Sequence, residues 1–215
     1  MKYFLVLCGT LLFSPIVFSQ DWKEVRIDEK VSLESPTRIE TIPNGNVNLY
    51  SSMTPSGTIV FFSESREQNL AKDLKEIEHS YDEYIRGFLS STKGEIVKND
   101  PFVINGVTGR YFRIRTPKNG GLILDSKIII LKGKIYSLQF TQTERFYSDT
   151  NEYRSRFLNS IKLADGLKQS DQYDPDFRGE DNFAYKLGYK LGGLLVTAAA
   201  VIFIIMLIAR YRRPY

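Results

Sequence analysis

Between Ile135 and Gln142 apolar and polar residues take strict turns. Tyr136, Leu138 and Phe140 fall on one side, and Ser137, Gln139 and Thr141 on the other. That is the period of a strand with one face on a core and the other toward water. Lys132-Gly133 supplies a hairpin turn back to a strand over Ser126–Leu131. Upstream, Trp22–Ile27 and Val31–Leu33 are short β-prone pieces, and Pro43-Asn44-Gly45-Asn46 reads as a turn before Val47–Met53 and Thr58–Ser63. The last of these is almost continuously apolar and predicts a central strand. Glu95–Lys98 and Gly106–Arg115 complete the predicted strands.

Two stretches switch to the helical period. Leu74, Ile77, Tyr81, Ile85 and Phe88 recur every three or four residues, opposite a charged face of Lys72, Lys75, Glu76, Glu83 and Arg86. A second helix is expected from Asp149, which has capping-box spacing to Glu152, with Tyr153, Phe157 and Ile161 as its buried stripe. Strands, a helix, more strands and a closing helix predict an α+β fold, an antiparallel sheet with two packed helices. Trp22, Phe61, Ile77, Ile85, Phe112, Leu138, Phe140 and Phe157 are its expected core.

The ends follow neither period. Leu191 to Ala209 is uncharged, and at 1.5 Å per residue it spans about 28 Å, close to a bilayer's hydrocarbon core. Arg210, Arg212 and Arg213 follow, and flanking positive charge marks the cytoplasmic side. At the other end Lys2, the apolar run Tyr3–Phe13, Pro15 and then Val17 and Ser19 have the layout of a signal peptide cleaved near Ser19/Gln20. Cys8 sits in a loose lipobox-like context, but Leu7 stands where a small residue belongs. The expected organisation is a signal peptide over 1–19, an extracytoplasmic domain over 20–163, an acidic linker over 164–185, a transmembrane helix over 186–209 and a cytoplasmic tail over 210–215.

Charge and cysteine usage sharpen this picture. The net charge of +4 divides as +1 in the signal, +2 in the body, −4 in the linker and +5 around and after the span. The basic balance therefore belongs to the membrane flanks, and no nucleic-acid partner is expected. Cys8 is the only cysteine, so the exported chain has no disulfide and must rely on its core.

Three stretches carry a family resemblance: "VSLESPT", "GFLSSTKGEIVKNDPFVINGVTGRYFRIR" and "KIIILKGKIYSLQFT". Their apolar positions and glycines resemble the PsbP/Mog1-like α/β/α fold across roughly residues 20–163, as found in small exported bacterial proteins. The resemblance implies a binding or assembly module, because its members include photosystem subunits and a GTPase partner. It carries no functional residues over, since none of those motifs is matched.

The candidate chemistry is sparse. Arg110, Arg113, Arg115 and Lys118, with Tyr111 and Phe112 among them, are the densest basic cluster of the body. They read either as a patch for a carboxylate ligand, an anionic partner or lipid headgroups, or as an edge-strand face that discourages aggregation. Gly188 and Gly192 have the GxxxG spacing that lets membrane helices pack closely. His79, with Glu76 and Glu83, reads as a solvated helix face, because a structural zinc site would want a second histidine or a thiol. "DPDFRGED" begins like a calcium loop but has Arg178 and Tyr185 where oxygen ligands belong. Neither metal nor cofactor is expected. G-x-S-x-G, HExxH and Walker motifs do not occur.

The expected function is a non-catalytic binding or scaffolding module of the bacterial envelope, single-pass in the inner membrane with the body outside and the C-terminus in the cytoplasm. Its expected partner is an envelope protein or a small anionic ligand. The alternative is an envelope hydrolase with a carboxylate or serine–lysine site in a sheet cleft.

Overall fold

The computed structural model describes residues 22–35, 71–116, 121–131, 133–148, 151–176 and 183–193. For Glu40–Asn44, Val47–Thr54, Gly57–Ser65 and Phe146 it describes the backbone alone. The expected signal peptide with Cys8, Lys118, Asp149, the Phe61 side chain, the expected span beyond 193 and the tail lie outside the described residues. Among those described, no helix is long and apolar enough to cross a membrane.

Helix α1, Leu74–Thr92, is capped at its start by Asp73. The Asp73 carboxylate accepts from the Glu76 N–H (2.8 Å), and the Glu76 side chain reaches back to the Lys72 N–H (2.9 Å). One of the helix's otherwise unpaired N–H groups is thereby satisfied, and the residue before the cap is tied back to the first turn. It ends at Lys93, which turns left-handed and donates its N–H to Leu89 O.

Strands β1 (Lys23–Arg26), β2 (Val31–Ser35) and β10 (Lys162–Leu163) form a three-stranded antiparallel sheet ordered β1-β2-β10. The main sheet has seven antiparallel strands in the order β3-β4-β5-β9-β8-β7-β6. Their ranges are β3 Glu40–Asn44, β4 Val47–Thr54, β5 Gly57–Ser65, β6 Glu95–Ile104, β7 Val107–Thr116, β8 Leu122–Leu131 and β9 Lys134–Thr143.

Both faces of the main sheet are covered. On one, α1 lays Ile77, Tyr81, Tyr84, Ile85 and Phe88 onto Phe112, Ile114, Leu124, Ile128 and Ile130. On the other, Phe157 and Leu158 of helix α2 (Asn151–Asn159) and Val31, Leu33 and Leu163 of the small sheet cover Tyr136, Leu138 and Phe140. This double cover corrects the expected outward facing of Ser137 and Gln139. Both are buried under α1, where Gln139 Nε2 donates to Ser137 Oγ (3.2 Å) and Tyr84 OH donates to the same oxygen (3.3 Å).

Three further expectations need revision. Strand β6 runs to Ile104 rather than stopping at Lys98, because an edge strand tolerates Pro101 where an inner one would not. Trp22 is half-buried rather than central, its ring 5.9 Å from that of Tyr153 and under the Arg156 guanidinium. A third helix, α3, over 183–193, adds Ala184, Leu187 and Leu191 to the α1 core. The described part of the acidic stretch before it is docked on the body. Gln172 is fully buried, and the Asp174 N–H donates to Ala71 O (2.9 Å).

Candidate functional site

Strand β7 carries three of the four candidate basic residues, and its pleat separates them. Register places Arg110 opposite Ile128 on the α1 face, whereas Arg113 and Arg115 pair with Asp125 and Ile123 on the α2 face. Arg110 turns to α1 and ion-pairs with Glu78, with Asp82 at 3.8 Å. Arg115 pairs with Glu144 at 2.9 Å. The three arginines thus occupy two surfaces, since residues an odd number apart on a strand point opposite ways.

Arg113 belongs to a cluster the sequence reading missed. Asp125 is fully buried in β8. Its Oδ1 accepts from Arg113 Nε (2.8 Å) and from the Tyr111 hydroxyl, which itself accepts from an Arg113 terminal nitrogen (2.9 Å). Its Oδ2 lies 3.5 Å from Arg154 Nε without a hydrogen bond among the described residues. Arg154, also buried, comes from α2 and is held by Tyr147 O (3.0 Å) and Asn151 Oδ1 (2.6 Å). Both guanidiniums stack on the Tyr147 ring, 4.8 Å and 3.9 Å from its centre. Lys98 adds its ammonium over Tyr111 at 5.4 Å. A lone acid inside "LILDSKIIIL" was the available signal, because a buried carboxylate must find cations.

Two guanidiniums against one carboxylate leave this cluster with a surplus positive charge. Burial drives the Tyr111 phenol well above its ordinary range, and the Asp125 carboxylate it donates to pushes it further. Burial opposes the charge on Arg113, but the hydrogen bond to Asp125 and the attraction of that carboxylate together raise the pKa. Tyr111 is therefore a neutral donor and Arg113 a fixed cation. Such an arrangement can hold an anion beside Arg113 and Lys98, whose ammonium also pairs with Asp100 at 2.8 Å.

The remaining candidates stand apart from this cluster. His79 is exposed, Glu76 pairs with Lys72 and Glu83 with Arg86. No three metal-ligating side chains gather among the described residues. Asp28 accepts from the Lys30 and Val31 N–H groups in the turn between β1 and β2, and from Lys134 Nζ (2.6 Å) and Tyr136 OH (2.7 Å) of β9. Gly188 and Gly192 lie on α3, where they face α1.

Comparison with known proteins bears on the fold. No family model and no curated protein matches the chain. Cyanobacterial PsbP (CyanoP) from Synechocystis sp. PCC 6803 is similar in structure, with a TM-score of 0.52 over 69% of this chain and 95% of that one, at 10% identity. A protein of unknown function, PA94 from Pseudomonas aeruginosa, aligns at a TM-score of 0.38 and 13% identity over 62% of this chain and 91% of that one. The body of the chain is a PsbP-like α+β fold with antiparallel sheets.

Proposed function

We propose that this chain is a non-catalytic binding module of the bacterial envelope, held at the inner membrane by its C-terminal apolar run, with the body extracytoplasmic. The observation that carries the binding role is the Asp125 cluster. A buried carboxylate orients Arg113 and Arg154 around Tyr147 and leaves a positive charge in surplus, reached from solvent through the Arg113 side chain, which is 23% exposed. That surface suits a carboxylate or phosphate group presented by an envelope protein or a small ligand. The apolar run and its arginines support the anchoring.

A photo-crosslinking residue at Lys98, which is half-exposed, would test the reading in intact cells with the full-length chain. One defined partner or ligand should be captured, and capture should fall at least about tenfold in Arg113→Gln, as expected for losing a charge-assisted contact. Capture unaffected by Arg113→Gln would reject the cluster as the site. Turnover by the purified chain against a hydrolase panel would reject the binding module in favour of an enzyme.

A further inference from the structure

Helix α3 lies on α1 with backbone against backbone at Gly87 and Gly188, and with the Ser91 hydroxyl between them at Gly192. A Cβ at Gly188 would overlap the Tyr84 carbonyl oxygen and stand 2.8 Å from its carbon. A Cβ at Gly87 would overlap the Tyr185 carbonyl oxygen and stand 2.8 Å from the Tyr189 nitrogen, and one at Gly192 would overlap Ser91 Oγ and stand 2.9 Å from Phe88 O. Gly193, the next residue, would meet nothing within 4 Å. The three glycines are thus used, from both helices, at the positions where the backbones meet. Ala184, Leu187 and Leu191 flank the seam and are buried. Arg86 of α1 stacks over the Tyr185 ring (5.1 Å), and Tyr185 OH donates to Ser90 Oγ (3.3 Å). Lys186, Tyr189 and Lys190 face outward.

The contacts also fix direction. Tyr185 and Gly188 meet α1 around Tyr84 and Gly87, and Gly192 meets it at Phe88, Ser91 and Thr92, so the two helices run parallel. Helix α1 starts beside the β7–β8 end where Tyr81 bonds Thr108 and Ile130, and finishes beside Gly94, against Ile114 and Arg115. The chain therefore leaves the body at the end formed by Glu95, Arg115, Thr116 and Leu122, with Glu144 and Arg145 close in sequence to β9's last residue there.

We infer that Gly87, Gly188 and Gly192 make α3 a rigid mount rather than a tether, and that the mount sets the body on the lipid bilayer with its Glu95/Arg115/Glu144 end toward the headgroups. The seam stands on the described contacts alone; the orientation rests on the proposed membrane span, because the apolar run continues from α3. The consequence is that the β6–β7 turn at Asn105-Gly106 points away from the membrane, while Arg115 and the nearby Asp125 cluster face a partner at the bilayer surface.

Two measurements on the full-length chain separate the seam from the orientation. In detergent, amides of α3 and of Tyr84–Thr92 should exchange slowly, and Gly188→Ala should speed them roughly tenfold or more, with Gly193→Ala leaving them unchanged. Unprotected amides over 183–193 in the native chain, or equal effects of the two variants, would overturn the seam. For orientation, a Cys8→Ser background with a fluorophore at Glu95→Cys or Val103→Cys places two probes on one strand, about 26 Å apart at 3.3 Å per residue. In bilayers carrying a headgroup spin label, the probe at Glu95 should be quenched several-fold more than that at Val103, and Gly188→Leu should abolish the difference. Equal quenching in the parent, or stronger quenching at Val103, would overturn the orientation. Extraction of the chain from membranes by alkaline carbonate would instead reject the span itself, leaving the seam to the exchange measurement.

Discussion

Gln172 offers a test of how the acidic stretch after β10 is held. Its side chain sits where the β7–β8 ladder runs out, and it replaces the missing rungs. Oε1 accepts from Thr108 N (2.8 Å) and Thr108 Oγ1 (3.0 Å), while Nε2 donates to Thr108 O (2.7 Å) and Ile130 O (3.1 Å). Tyr81 shares Thr108 O with it, donating to that oxygen, and takes the remaining group by accepting from the Ile130 N–H. In Gln172→Ala, Thr108 O keeps its Tyr81 partner, but the Thr108 N–H and Ile130 O lose theirs. Leaving a buried polar group unsatisfied costs about 1–3 kcal/mol, so with two such groups the variant should lose roughly 2–6 kcal/mol. That is a large share of the 5–15 kcal/mol typical of a domain. Urea unfolding of residues 20–193, followed by circular dichroism and by fluorescence of Trp22, should show the loss as a lower midpoint at unchanged slope. The Thr108 amide should exchange faster. Gln172→Glu keeps the shape but sets a carboxylate oxygen against two carbonyls, so it should be at least as destabilising at pH 7 and recover as the pH falls. A loss below about 0.5 kcal/mol in Gln172→Ala would mean that water can serve Thr108 and Ile130, and that the stretch is only loosely laid on the body.

Two further outcomes follow from buried groups. Burial raises the Asp28 pKa, but the hydrogen bonds from Lys134 and Tyr136 outweigh it and hold the carboxyl below its usual range. Its folded pKa is thus depressed, so its contribution is present above the unfolded value of about 3.9 and is lost as pH falls through the folded one. Asp28→Asn should destabilise at pH 7, and the difference from the parent should shrink below about pH 4 in acid unfolding; a constant difference would remove Asp28 from the acid response. Phe140 is fully buried under α2 and the small sheet, so Phe140→Ala should cost about 3–5 kcal/mol in the same urea assay, and a loss below about 1 kcal/mol would contradict that placement.

Local periods were legible without coordinates. Ile77, Tyr81, Ile85 and Phe88 mark the buried stripe of α1, and the hairpin between β8 and β9 falls at Gly133. These are properties of neighbours in sequence, where side-chain spacing alone decides which face is apolar. Strand β3 and the second half of β6 were missed because Pro43, Asn99, Asp100 and Pro101 carry turn preferences, which pairing at an edge overrides.

What the chain determined by itself was its α+β class, most of its strands, both helices of the body and its two apolar ends. Tertiary structure alone decided the rest, since burial depends on what covers a face. Ser137 and Gln139 alternate like solvent-facing residues, yet α1 lies over them. Arg110, Arg113 and Arg115 look like one patch until the pleat divides them, and Asp125 meets Arg154 only because α2 folds back across β8. Gly188 and Gly192 could be recognised as a close-packing face, but their partner is Gly87's helix, about a hundred residues earlier in the chain. A glycine spacing states how near a backbone can come, and only the assembled core states which backbone it is.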